Sequence, residues 1–202
     1  TSSHCVVYID NYNSSQFSDK NSWLKTPKKV IINGPRSVPK EISNDEGICI
    51  FEGAHNGYVK SHGLTHVRKL KLAQDGQTFE GEDLIIAIKE SHKRQFDKIS
   101  KKTSRGSVSV KAAFHLHPDV TLRLDQENNL ISLALKNGEV WIFNYSSDLN
   151  LDLEPTVFFE NDLFEPLGSQ KLILSADLLD YGTRIKWSIA RVRNKDISVG
   201  DL

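Results

Sequence analysis

Short runs of β-branched and aromatic residues recur along this chain roughly every ten residues, each closed by a turn signal. The clearest is TRIKWSIARV (183–192), where Ile185, Trp187 and Ile189 alternate with Lys186, Ser188 and Ala190. A strand turns successive side chains to opposite faces, so this run sets an apolar face against a polar one. HVRKLKLA (66–73) has the same period, with Val67, Lys69 and Lys71 alternating with Arg68, Leu70 and Leu72. QDGQ (74–77) then reads as a hairpin-type turn, because Asp-Gly tolerates positive φ. TFEGEDLIIAIKE (78–90) continues as strand, with a bulge expected at Gly81. No segment sustains the i, i+3, i+4 apolar spacing of a capped amphipathic helix. About a dozen such strands in series imply one continuous all-β domain over residues 1–202, an antiparallel sandwich or barrel.

A chain of 202 residues is long enough to bury a substantial core. Its 26 basic and 26 acidic side chains cancel, so no global field draws it to nucleic acid or to an anionic membrane. No apolar run is long enough to span a bilayer as a helix. Cys5 and Cys49 sit in apolar strand-like runs and are expected as buried thiols, with a single disulfide as the alternative. The chain contains no methionine, even at position 1, and runs directly into an apolar strand pattern. The expectation is a piece of a longer protein, so the absence of a signal peptide says little about location.

Three stretches carry side chains with functional chemistry. AAFHLHPDV (112–120) places His115 and His117 on one strand face and Phe114 and Leu116 on the other. Two imidazoles there supply half of a metal site at most, and a packed or hydrogen-bonded pair is the alternative. AHNGYVKSHGLTH (54–66) gathers His55, Tyr58, His62 and His66. Such groups donate and accept protons near neutral pH, so His55, Tyr58 and His66 are candidate sugar-binding residues; the alternative is a glycine-rich connection packed on the sheet edge. Residues 89–105 (KESHKRQFDKISKKTSR) are rich in Lys and Arg, with apolar content too thin to anchor more than a turn or two of helix. They are expected to form a solvated loop, or a basic lip that greets an anionic polymer. Nucleophile elbows, phosphate-cradling glycine loops and Ser-His-Asp arrangements are absent in recognisable form.

Several stretches, taken in order, resemble one family. They are TSSHCVVYIDNYNSSQF at the start, GAHNGYVKSHGLTHVRKLKLAQDGQTFEGEDLI, AAFHLHPDV after a variable basic stretch, and GEVWIF and TRIKWSI near the end. Together they resemble the C-terminal β-sandwich domain of the heparinase II/III-like proteins, bacterial polysaccharide lyases and their relatives. The motif order is specific, although each motif alone is not.

The resemblance implies a two-part parent protein in which this antiparallel β-sandwich packs on an N-terminal α/α toroid and walls a cleft for an acidic, uronate-containing glycan. The implied reaction is β-elimination. A base removes the proton α to the uronate carboxylate, a neutraliser stabilises the resulting charge, and an acid protonates the leaving oxygen. The Asn, Tyr and His that do this in the family match segments upstream of Thr1, so no catalytic residue is expected in this chain and the chain alone is expected to be inactive. Metal-containing members hold a divalent ion, usually zinc, with two His and one Asp. The last of these ligands matches His4 of SSHC, with Cys5 where the motif commonly has Asn or Ser. Its partners would lie upstream, so no metal is expected in this chain by itself. A periplasmic or cell-envelope location follows from the same resemblance. The alternative functions are a stand-alone carbohydrate-binding β-sandwich and a purely structural domain of a relative without lyase activity.

Overall fold

The alternating runs become strands, and the turns between them decide which strands are neighbours. A computed structural model of the chain describes residues 5–18, 30–125, 130–160 and 165–192. The first elements are β1 (Val7–Ile9), β2 (Gln16–Ser18), β3 (Val30–Asn33), β4 (Lys40–Asp45), β5 (Ile48–Tyr58), the one-turn helix α1 (Val59–His62), β6 (Leu64–Ala73) and β7 (Thr78–Ile86). A longer helix, α2 (Glu90–Ser100), separates them from β8 (Val108–His115), β9 (Thr121–Asp125), β10 (Leu130–Ala134), β11 (Val140–Tyr145), β12 (Asn150–Phe158), β13 (Leu167–Leu178) and β14 (Gly182–Arg191).

These strands build a four-stranded sheet in the order β1-β8-β13-β12 and an eight-stranded sheet in the order β4-β5-β6-β7-β14-β11-β10-β9, with β2 and β3 paired separately. Every pairing between them is antiparallel. The two larger sheets enclose one core, to which the small sheet gives Val110, Ala112, Leu172 and Leu174 and the large sheet Leu64, Ile85, Phe143 and Ile185. The architecture is the antiparallel β-sandwich that the sequence implies. Burying one such Leu or Ile contributes about 1.5–3 kcal/mol. Pro155 falls on β12, an edge strand, where its missing N–H costs no interior ladder bond.

Position β14 lies between β7 and β11, so its alternation points Ile185 and Trp187 into the middle of the core. Trp187 stacks on Phe143 (6.2 Å between centroids, 6° between planes) and meets Phe114 edge-on at 5.0 Å. Gly81 makes room for it. A Cβ built at Gly81 would lie 2.1 Å from the indole ring, while the register Leu70↔Gly81↔Trp187 runs through without a slip. The bulge expected at Gly81 is therefore absent, and the glycine serves a side-chain contact instead.

Three further expectations are corrected. Residues 90–100 form a helix of 11 residues in place of the expected loop. One deeply buried side chain anchors it: Phe96 is 2% exposed and meets Tyr181 edge-on, while Ile99 packs on the core beside it. Gln95 Nε2 donates to the Ser61 carbonyl at 3.2 Å, and Gly63 lies so close that a Cβ there would sit 2.1 Å from the His92 carbonyl oxygen. Tertiary packing of one face thus outweighs a weak local pattern. Cys5 and Cys49 are both free and exposed, neither buried nor disulfide-linked. Cys49 pairs with Asn44 of β4, a strand whose six residues are all exposed at the open margin of the large sheet. The stretch 54–66, with a glycine-rich connection as its alternative reading, runs from strand through one helical turn into strand.

Candidate functional site

The register of β5, β6 and β7 brings the polar groups together. His55 lies opposite His66, and Arg68 opposite Asp83. On β6, His66 and Arg68 are two residues apart and so share the core-facing side with Leu64 and Leu70. Asp83 shares its side with Ile85 and is 0% exposed. A carboxylate so placed requires partners, since an unpaired buried charge costs several kcal/mol.

The partners form one chain of hydrogen bonds. Arg68 Nε donates to Asp83 Oδ1 at 2.6 Å and Nη2 to Oδ2 at 3.1 Å, a bidentate fork. His66 Nε2 lies 2.6 Å from Asp83 Oδ1, and His66 Nδ1 lies 3.0 Å from His55 Nε2. The Gly57 N–H donates to His55 Nδ1 at 3.2 Å. That last contact fixes the proton positions along the chain. His55 accepts at Nδ1, so it carries its proton on Nε2 and donates to His66 Nδ1; His66 then donates from Nε2 to Asp83.

The electrostatics agree with this order. Burial, followed by the charges of His66 and Arg68, pushes His55 down from 6.5 to about 4. Burial alone would raise the Asp83 carboxyl; hydrogen bonds from His66 and Arg68, together with their charge, outweigh it and hold the group below the usual carboxylate range. Burial pushes Tyr58 up to about 12.

Both ends of the chain are closed, by the Gly57 amide at His55 and by the Arg68 fork at Asp83. The bonds tie β5, β6 and β7 together. Three contacts carry that rigidity to the first described segment: Tyr58 Oη donates to the Val7 carbonyl at 2.5 Å, Arg68 Nη1 donates to the Cys5 carbonyl at 3.4 Å, and His62 Nε2 lies 3.4 Å from Asp10 Oδ2.

Of the residues singled out from the sequence, His55 and His66 are in direct contact, and the Tyr58 ring lies 5.5 Å from that of His55. Tyr58 and His66 are buried; His55 is half-buried. His115 and His117 stand apart from them. His115 Nδ1 lies 3.4 Å from Thr156 Oγ1, and His117 packs on Phe158 and lies 3.8 Å from Asp119. His4, the expected metal position, lies outside the described residues. Among the described residues no group of three or more His, Cys, Asp or Glu is arranged to hold a metal ion. Sequence reasoning missed Arg68, Asp83 and Asp10 as members. The signal was present for two of them: His-x-Arg at strand period, and an acid in GEDLII alternating with Ile85 on the apolar side.

The family model for the heparinase II/III-like, C-terminal domain matches residues 1–188. The chain belongs to this family. Its fold is shared by solved structures of low identity. A heparinase III gene product superposes with a TM-score of 0.62 at 13% identity, over 95% of this chain and 24% of that one. The heparan sulfate lyase HepC from Pedobacter heparinus gives 0.57 at 9% identity, over 76% of this chain and 21% of that one. A further heparinase III gives 0.52 at 14% identity, over 76% and 21%. No curated protein matches the chain. The heparinase II/III-like chain thus spans less than a quarter of the length of these structures. Its buried network falls within the family match, on the stretch that the motifs GAHNGY, HVR and GED identify. No helix among the described residues is long and apolar enough to cross a membrane.

Proposed function

We propose that this chain is the non-catalytic C-terminal domain of a polysaccharide lyase that cleaves an acidic, uronate-containing glycan by β-elimination. The observation that carries the proposal is the family match across residues 1–188. The fold likeness to a heparan sulfate lyase and to heparinase III supports it. In this reading the sandwich packs on an N-terminal α/α toroid and forms one wall of the glycan cleft. The base, neutraliser and acid come from outside residues 1–202, consistent with a His-His-Asp-Arg network closed at both ends. His55, the half-buried member, meets the glycan or the toroid, while Tyr58 and His66 hold it in place. A divalent metal, zinc, belongs to the full-length protein, with His4 as one ligand.

Elimination leaves an unsaturated uronate at the new chain end, which absorbs in the ultraviolet. The test incubates the full-length parent and the 202-residue chain separately with heparan sulfate and alginate and follows that absorbance. The parent produces it from at least one uronate polymer and the chain from none. Turnover by the chain alone would overturn the assignment of catalysis to the remainder of the protein. Saturated products from the parent would overturn β-elimination itself.

A further inference from the structure

Residues 89–105 hold seven Lys and Arg against two carboxylates, a net charge of +5 in a chain whose total is +0. The rest of the chain therefore carries −5. The structure fixes this charge on a rigid element, since α2 is held by buried Phe96, by Gln95 on the Ser61 carbonyl and by Lys93, which pairs with Glu90 and lies 5.3 Å over the Tyr181 ring. Lys89, Arg94, Lys98, Lys101, Lys102 and Arg105 are all exposed, and none takes part in the ion pairs found among the described residues.

A second concentration of cations makes the contrast. A groove of about 620 Å³ on the outer face of the large sheet is lined by Lys69, Lys71, Arg184 and Lys186. Each of these has a carboxylate of its own domain: Lys69 with Glu52, Lys71 with Glu80, and both Arg184 and Lys186 with Glu82. Cross-strand pairs of this kind neutralise that surface internally. Lys89, Arg94, Lys98, Lys101, Lys102 and Arg105 have no such pairing among the described residues. Arg94 and Lys98 are one helical turn apart on α2, and Lys101 and Lys102 follow directly after its end, so like charges stand at i, i+3 and i+4 along residues 94–102. The dipole at the helix C-terminus favours Lys98, Lys101 and Lys102 but offers nothing to Arg94 at mid-helix or to Arg105 beyond the end.

We infer that the exposed side of α2 and the turn after it form a polyanion-binding site, whose ligand is a segment of the acidic glycan itself, carrying uronate carboxylates or sulfates. The inference rests on the lyase reading and adds to it a place on this domain where the substrate chain is gripped apart from the reacting bond. Several point charges within about one Debye length of each other bind an extended polyanion by releasing its counterions, so the affinity falls steeply with salt.

The experiment measures binding of the 202-residue chain by calorimetry at low salt, with four probes: a heparin dodecasaccharide, an alginate dodecasaccharide, a DNA duplex and phosphatidylserine vesicles. At least one glycan binds more tightly than DNA or vesicles, and the two glycans separate sulfate from carboxylate recognition. The variant R94Q/K98Q/K101Q/K102Q binds that glycan at least tenfold more weakly, with a flatter salt dependence. The variant K69Q/K71Q/K186Q binds it unchanged. Circular dichroism confirms that both variants are folded. Preference for DNA or for vesicles would overturn the inference in favour of that partner. Unchanged binding by the helix variant, with loss in the sheet variant, would overturn it while leaving the lyase reading intact. Absence of glycan binding in the chain would also overturn it, and the unsaturated-end assay on the parent then decides separately whether the lyase reading falls too.

Discussion

Two parts of the molecule handle charge in opposite ways. Beneath β5, β6 and β7, Asp83 is fully buried and both its oxygens are satisfied by Arg68 and His66. Along residues 89–105, on α2 and just beyond its two ends, six cations face solvent without an ion-pair partner among the described residues. The first arrangement is costly to disturb, because each member has given up water for one specific partner. The second is inexpensive to disturb, because water already solvates each charge. A buried network therefore acts on the fold, whereas an exposed unpaired cluster acts on whatever approaches it. This difference separates the stability role of the network from the binding role proposed for the exposed cluster.

The largest expected effect is at Asp83. Asp83→Asn removes the negative charge and leaves the Arg68 fork without its counter-ion in a site only partly open to water, at a cost of about 3–5 kcal/mol in urea unfolding. The double variant Asp83→Asn/Arg68→Gln should cost less than the sum of the two single changes, because the pair is coupled. If Asp83→Asn unfolds at the same urea concentration as the unaltered chain, the network is not what holds β6 to β7.

Acid provides a milder and reversible disturbance of the same network. His55 is pushed down from 6.5 to about 4, so between those values the unfolded chain binds a proton that the folded one does not. Stability is then complete above about pH 6.5 and declines as pH falls towards 4, by on the order of 2 kcal/mol. Asp83, held below the usual carboxylate range, adds a loss of the same sign at still lower pH. Urea midpoints at pH 7, 5.5 and 4.5 check this. The variant His55→Gln should flatten the dependence between 6.5 and 4; an equally steep dependence in that variant would remove His55 as its source.

The sheets were legible in the sequence because period two is a local signal. TRIKWSIARV needs no knowledge of its neighbours to show which side of β14 is apolar. The network was half legible. His66 and Arg68 share a strand face by spacing alone, but their partner Asp83 lies across a hairpin, and which acid pairs with which base is set by strand register. The helix α2 was not legible. Its anchor is one phenylalanine whose burial depends on Tyr181, 85 residues later by the numbering, and local pattern cannot supply that contact. Gly81 illustrates the same limit. In the sequence it is a break in a strand, and only the pairing with Trp187 reveals it as a space left for an indole ring.

The smallest expected effect sharpens the comparison from the other side. The variant R94Q/K98Q/K101Q/K102Q removes four charges from α2 and the turn after it, yet its urea midpoint should move by no more than about 0.5 kcal/mol equivalent. Two small terms oppose each other. Relief of like-charge repulsion at i, i+3 and i+4 stabilises the helix by roughly 0.2–0.5 kcal/mol per pair. Loss of cations from the last turn removes a comparable favourable interaction with the helix dipole. Gln retains most of the helix propensity of Lys and Arg, so no backbone penalty is added. A loss of several kcal/mol would mean that these cations are structural members like Arg68, bonded in the folded chain, and the distinction between the two regions would collapse. An unchanged midpoint would place the four charges outside the stability of the fold, as the proposed glycan-binding role requires.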